Sequence, residues 1–277
     1  MTTPLADQTI LITGATDGLG RALAEELTRG GATVLVHGRD PGRVAETIDA
    51  IRAATGRDRL RPYVADLSDL AQVRGLAEEV LANEPRLDVL VSNAGIGNDV
   101  PGGGVRMESG DGYELRFAVN YLAGFLLTRL LLPLLRSSAP ARIVNVSSLG
   151  QHAIDFGDVM LTSSYNGGRA YAQSKLAQIL DTIDLAGHLD GSGVTVNALH
   201  PATYMPTKIV RSPFSTIAEG VAATHRLVAD PALAGVTGRF FNGQREARAD
   251  PQAYAPDARR RLRELSEKLT GLAPAQP

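Results

Sequence analysis

What constrains this chain most is a rhythm: short apolar runs alternate with amphipathic stretches from Thr9 to about Phe241. Thr9 to Thr13, T-I-L-I-T, is nearly continuous in apolar side chains, as expected for a parallel strand covered on both faces. It runs into G-A-T-D-G-L-G and then A-L-A-E-E-L-T-R, a helical pattern closed by Gly30-Gly31. The pattern predicts further strands at Ala32 to His37, Leu60 to Ala65, Leu87 to Ser92, Arg142 to Val146, Gly193 to Leu199 and Thr237 to Phe241. Helices are predicted near Arg43 to Ala54 and Leu70 to Leu81. Strand, helix, strand in repetition means an α/β chain: a doubly wound parallel sheet of about seven strands with helices on both faces. No fixed-period repeat and no low-complexity linker divides the 277 residues, so one domain over 1–277 is expected.

Three segments break the alternation: Ile96 to Gly112, Leu149 to Gly168, and Pro201 to Pro213. Each leaves the carboxyl end of a predicted strand, where ligands sit in open parallel sheets, so the three are candidate walls of one pocket. A substrate loop is expected at about 201–225, with Tyr204, Met205, Ile209, Val210 and Phe214 as an apolar wall. A helical tail is expected at about 256–277.

Gly14, Gly18 and Gly20 follow the first strand and open a helix. Glycine lets backbone approach a pyrophosphate, and free N–H groups at the helix start attract its charge. Thr16, Asp17 and Leu19 complete that loop. At the end of the second strand an NAD site usually places a carboxylate for the ribose hydroxyls. Here V-L-V-H-G-R-D puts Gly38 there, followed by Arg39. A guanidinium binds a 2′-phosphate as a fork, so NADP(H) is the expected cofactor, with NAD(H) as the alternative. Asp40 is either a helix cap or a ribose contact. With Asp17 ahead of Gly18, no cation in the loop adds to Arg39.

Tyr171 and Lys175 stand four apart in R-A-Y-A-Q-S-K-L-A-Q-I-L, a run of good helix formers, and so leave one helix face a turn apart. A phenol is too weak an acid to exchange protons freely near neutral pH, and a nearby ammonium makes it a usable donor and acceptor.

Taken in order, T-G-A-T-D-G-L-G, S-N-A-G (Ser92 to Gly95), V-N-V-S-S (Val144 to Ser148) and Y-A-Q-S-K give a chain that resembles the short-chain dehydrogenase/reductase family. The resemblance implies a Rossmann fold and a nicotinamide-dependent oxidoreductase. It implies that Asn93, Ala94 and Gly95 lie beside the adenosine part of the cofactor. Asp66, with Leu67, would sit near the adenine, and Asn120 would help hold a proton-relay water. It assigns the catalytic serine to Ser148, which would stabilise the substrate oxygen. Tyr171 would be the acid/base, and Lys175 its tuner and the ribose ligand. Tyr165 lies nearer to Ser148 but is followed four residues later by Arg169, so Tyr171 is preferred. Pro201 would lie against the nicotinamide, with Thr203 or Thr207 near the pyrophosphate. Ala202 replaces a frequent glycine, and a positive φ there would be strained. The long insert, H-G-R-D and the Arg-rich tail near Arg259 to Arg261 look like the retinol-dehydrogenase-like subgroup, whose members handle lipophilic alcohols and aldehydes.

Other classes are disfavoured. A net charge of -2 gives no electrostatic reason for nucleic acid as a partner. The absence of cysteine excludes disulfides, thiolate catalysis and Cys-ligated zinc, and fits a reducing cytoplasm. His200 has no ligand-spaced partners, so no metal is expected. The N-terminus lacks a secretory pattern, and the apolar Tyr121 to Leu135 stretch, interrupted by Arg129 and Pro133, reads as a buried helix with no membrane insertion. A small-molecule carbonyl or alcohol is the expected partner. The resemblance also raises a homo-oligomer paired through the helices after the fourth and fifth strands. Two rivals remain: a nucleotide-binding scaffold without turnover, and a sugar-nucleotide epimerase or dehydratase.

Overall fold

The computed structural model describes residues 3–98, 104–203, 205 and 214–273. In chain order its elements are β1 (Thr9–Ile12), α1 (Gly18–Arg29), β2 (Thr33–Gly38), α2 (Pro41–Thr55), β3 (Leu60–Val64), α3 (Leu70–Asn83), β4 (Val89–Ser92), α4 (Leu115–Phe117) and α5 (Ala123–Ser137). They continue as β5 (Ala141–Val146), α6 (Gly167–His188), β6 (Val194–His200), α7 (Ile217–Ala229), β7 (Phe240–Asn242), β8 (Arg245–Ala247) and α8 (Pro256–Thr270). The strands form one sheet in the order β3-β2-β1-β4-β5-β6-β7-β8. All neighbours are parallel except β7 and β8, which pair antiparallel. The order reverses between β1 and β4, opening the crevice where such sheets bind ligands.

Residues alternate between the two faces of each strand, and each face is covered. Ile10, Ile12, Val34 and Val36 pack under Leu23 and Leu27 of α1, Ile48 of α2 and Leu227 of α7. Leu11, Leu35 and Leu90 pack under Val73 and Leu76 of α3 and Leu127 and Leu131 of α5. A third cluster joins Tyr121 and Phe125 to Leu176 and Leu180 of α6 and Leu262 of α8.

The expected elements are present, with shifted ends. Strand β4 starts at Val89 because the N–H of Leu87 is taken by Ser138 Oγ at 2.9 Å. The seventh strand starts at Phe240: Thr237 Oγ1 accepts the N–H of Val196 at 3.0 Å, and Gly238, at φ 69°, turns the chain first. The eighth strand was not expected. Its signal was short, an Asn242-Gly243 turn with Gly243 at φ 57° between three-residue strands.

The apolar stretch is longer than the sequence suggested. Leu115–Ser137 is one helical run of 23 residues, long and apolar enough to cross a membrane by length and composition alone. In the fold 67% of its apolar window is buried, against the sheet and α6, as in a core helix.

Candidate active site

At the phosphate end, Asp17 caps α1 by accepting the N–H of Gly18 at 2.8 Å. Gly14 turns at φ 65° and Gly18 at φ 49°. Gly20 has no room for a side chain, since a Cβ there would lie 2.3 Å from the carbonyl of Gly14. Asn93 holds the loop from the crevice side: its Nδ2 donates to Thr13 O at 2.8 Å and Gly14 O at 3.1 Å. The N–H groups of Asn93 and Ala94 both donate to Thr13 Oγ1 at 3.0 Å. The Asn93 amide is therefore a brace for the glycine loop. Leu19 is buried in the core.

Across β2, the side chain of Thr16 fills the space above Gly38, where a Cβ would meet its Cγ2 at 2.6 Å. Arg39 is exposed, with no partner among the described residues. Asp40 takes the first of its two readings, capping α2 by accepting the N–H of Arg43 at 2.8 Å. The loop itself carries no cation, but one reaches it from α2. Arg43, one turn into α2, reaches back to Thr16 O at 3.4 Å and Asp17 Oδ2 at 3.2 Å. Sequence reasoning missed it, though D-P-G-R is itself a helix-start signal that aims Arg43 at the loop. Asp66 Oδ1 accepts from the N–H and hydroxyl of Ser68, at 2.9 and 2.8 Å, beyond β3, and Leu67 is buried behind it.

These features fit a nicotinamide dinucleotide. They offer a left-handed glycine turn, a helix start behind it, and the exposed Arg39 just after the end of β2, with Arg43 paired to Asp17 beside the loop.

At the other end, α6 starts two residues before Arg169 because Asn166 caps it, accepting the N–H of Arg169 at 2.9 Å. Tyr171 and Lys175 then fall one turn apart, with Lys175 Nζ 5.8 Å from the Tyr171 ring centroid. Lys175 is 95% shielded, and its Nζ donates to Val146 O at 2.9 Å and Gln178 Oε1 at 3.1 Å. Both acceptors are neutral, and burial takes its pKa down to about 8. Ser147 fastens α6 to β5 by donating from Oγ to Lys175 O at 2.7 Å. Ser148 Oγ and the Tyr171 ring flank Gly150: a Cβ there would lie 3.5 Å from one and 3.8 Å from the other. Ser148 Oγ also accepts the Gly150 N–H at 3.0 Å.

Gly95 links the two ends, since a Cβ on it would lie 3.3 Å from Asn120 Oδ1 and 3.5 Å from Lys175 Nζ. Both N–H groups of the Asn120 amide are engaged, and its oxygen accepts one bond. Its Oδ1 accepts from Ile96 N at 2.8 Å, and its Nδ2 donates to Ile96 O at 3.1 Å and Ser174 Oγ at 3.0 Å. Its backbone lies in a widened π-helical turn over Ala118–Leu122.

Tyr165 is held elsewhere. Its hydroxyl donates to Glu114 Oε1 at 3.0 Å and accepts from the fully buried Arg116 at 2.6 Å, and burial leads in pushing its pKa up to about 12. Arg116 also holds the carbonyls of Gly97 and Asn98, at 2.8 and 2.7 Å, so it clamps the segment after β4 to the 149–166 insert.

Pro201 is buried just past the end of β6, and Thr203 Oγ1 lies 3.0 Å from His200 Nε2. Burial takes the His200 pKa down to about 4, which keeps the ring neutral. Ala202 is unstrained; Leu161, at φ 49°, is the only non-glycine with positive φ among the described residues. Tyr204, Thr207, Ile209 and Val210 lie outside the described residues. Met205 packs on the core beside Leu19 and Gly220, on the phosphate side of the crevice, and Phe214 is exposed. Two clefts of about 620 and 590 Å³ lie at the amino ends of the strands, lined by residues such as Arg59 and Arg142, away from the groups above.

A family model described as short chain dehydrogenase matches residues 8–217. Human retinol dehydrogenase 14 is 40% identical over 296 residues, covering 96% of this chain and 87% of the relative. A protein of Mycobacterium paratuberculosis superposes over 100% of both chains with a TM-score of 0.77 at 28% identity. A Shigella flexneri 2a str. 301 structure, titled as a short chain dehydrogenase complexed with NADP, superposes with a TM-score of 0.70 at 29% identity, over 86% of this chain and 97% of that one.

Proposed function

The chain belongs to the short-chain dehydrogenase family, in its retinol-dehydrogenase-like branch, and on that premise we propose that it reduces or oxidises a partly apolar carbonyl or alcohol with NADP(H). That it is a nicotinamide-dependent oxidoreductase acting on CH–OH and C=O groups follows from the family. When bound, NADP(H) supplies or accepts the hydride.

The roles proposed for the chain's own residues are these. Tyr171 gives its hydroxyl proton to the substrate oxygen in reduction and takes it back in oxidation. Lys175 stabilises the phenolate left behind and holds the ribose. Ser148 donates to the substrate oxygen as charge builds there. Asn120 keeps the π-turn and Ile96 in register, so that its backbone can hold a relay water. One observation carries this reading: Ser148 and Tyr171 converge on Gly150, with a buried ammonium whose acceptors among the described residues are both neutral beside the tyrosine ring. Tyr171→Phe should lower kcat by about 10²- to 10⁴-fold while NADPH binding, followed by calorimetry, stays within a few-fold. Tyr165→Phe should lose about 1–3 kcal/mol of stability through Arg116 and Glu114, and keep its turnover. Full activity in the Tyr171 variant would sink the assignment. Tight NADPH binding without turnover on any carbonyl would favour a scaffold.

The preference for NADP(H) rests on Arg39 and Arg43 together, with NADP in the Shigella flexneri structure as further support. Arg39→Ser combined with Arg43→Ser should cut kcat/KM for NADPH by about 10²-fold and leave NADH within a few-fold. Equal losses with both cofactors would refute the preference. A partly apolar substrate is supported by the name of the human relative, a retinol dehydrogenase, and by the exposed Leu149 beside Ser148.

A further inference from the structure

His37 lies in β2, two residues before Arg39, and its ring is buried. Nδ1 lies 3.2 Å from the N–H of Gly14, and Nε2 lies 3.1 Å from the carbonyl of Ala65. A backbone N–H can only donate and a carbonyl can only accept. The ring must therefore be neutral, with its proton on Nε2, donating to Ala65 and accepting from Gly14.

The β2 backbone runs between the same two segments, accepting the N–H of Ala65 at the Gly38 carbonyl at 3.2 Å, and the His37 ring adds a side-chain bridge across it. Gly14 is the left-handed turn that leads from β1 toward α1. Its N–H is held by His37 and its carbonyl by Asn93, so both of its polar groups are fixed by side chains from opposite sides of the crevice. The next residue, Ala15, donates its N–H to the His37 carbonyl at 2.8 Å. Ala65 leads directly to Asp66, on the expected adenine side.

We propose that His37 is a positioning residue for the dinucleotide: its neutral ring bridges the glycine turn to the end of β3, holding the phosphate loop and the adenine wall at a fixed separation. The proposal rests on the reading that this loop holds NADP(H). The loop is then preorganised, and the cofactor loses less entropy in ordering it. Protonating Nδ1 would set two donors face to face at Gly14 and break the bridge. Burial holds the ring pKa down to about 4, with the charge of Asp66 acting the other way, so the bridge stays made at neutral pH.

The test uses the full chain and NADPH titrated by calorimetry. His37→Leu keeps an apolar filler and loses both hydrogen bonds. His37→Gln can accept with its amide oxygen and donate with its amide nitrogen, restoring the bridge. The Leu variant should bind NADPH about 10-fold more weakly, with KM for NADPH rising more than kcat falls, and the Gln variant should recover most of that loss. Unchanged affinity in the Leu variant, or equal weakening in both, would overturn the proposal. No NADPH binding by the unaltered chain would instead overturn the cofactor reading. If the variants do not fold, ¹⁵N-histidine NMR of the unaltered protein decides. A proton on Nε2 near neutral pH supports the bridge, and a proton on Nδ1 rules it out.

Discussion

Lys175 is asked to be charged in a place that disfavours charge. Burial takes its pKa from 10.5 to about 8, and the only acceptors of its Nζ among the described residues are Val146 O and Gln178 Oε1. The consequence for stability has a definite sign. Below about pH 8 the lysine is protonated in the folded and unfolded chain alike, so the burial penalty is present in full. Between about 8 and 10.5 only the unfolded chain holds the proton, so this group's contribution to stability rises with pH across that window. Activity should move the opposite way, because the ammonium that tunes Tyr171 is lost. The pH profile of kcat/KM should fall above about pH 8. Gln178→Leu removes one acceptor of the charged form and should move that limb down by about 1 unit, and Gln178→Glu should move it up. A limb that stays put in both variants would mean that the charge of Lys175 does not set it. Gln178 stands three residues after Lys175, a spacing visible in the sequence, but nothing there said that its amide would turn inward rather than to solvent.

At the scale of elements, the loop between β1 and α1 is built by exclusion. A Cβ on Gly20 would sit 2.3 Å from Gly14 O and 2.5 Å from Asn93 Nδ2, and the first of these is backbone that cannot swing aside. Gly20→Ala should therefore push the glycine turn away from Asn93 and weaken NADPH binding by about 10- to 100-fold, as read by calorimetry. Gly187→Ala, in the last turn of α6 with open space around it, is the control and should leave binding unchanged and stability within about 1 kcal/mol. Loss of binding in the control alone would contradict this account. The sequence made Gly14, Gly18 and Gly20 visible as a group because loop chemistry is local. It did not show the π-turn around Asn120, since a widened turn carries no composition signal and here accompanies an amide reaching across to Ile96.

Taken whole, the molecule covers its own flank. Tyr121 and Leu122 of the π-turn and Phe125 at the start of α5 lie in a cluster with α6 and α8. The Tyr121 hydroxyl meets Ser266 Oγ at 2.8 Å, Tyr113 donates to Leu269 O at 2.9 Å, and Arg263 pairs with Asp184 at 3.0 Å. Beneath them, Arg129 pairs with Asp181 and stacks 4.0 Å from the Phe125 ring centroid. Ending the chain before Pro256 should bare Tyr121 and Phe125, lower Tm by about 10 °C and promote self-association. Thermal unfolding and light scattering read both effects, and a truncated chain with unchanged Tm and mass would show that α8 is dispensable.

Local chemistry determined the sheet, the glycine loop, the S-N-A-G turn and the pair of Tyr171 and Lys175, because strand alternation, tight turns and helical spacing are written in neighbouring residues. It also separated Tyr171 from Tyr165, through the residue four places on. Only the tertiary structure decided that Tyr165 belongs to Arg116, that Arg43 reaches the glycine loop, that His37 spans from Gly14 to Ala65, and that α8 lies on α6 and the turn at Tyr121. Each of these joins residues at least 23 apart, or a helix to a surface formed far earlier in the chain. Such contacts follow from which faces the sheet leaves to be covered, and that is a property of the assembled layers rather than of any stretch of sequence.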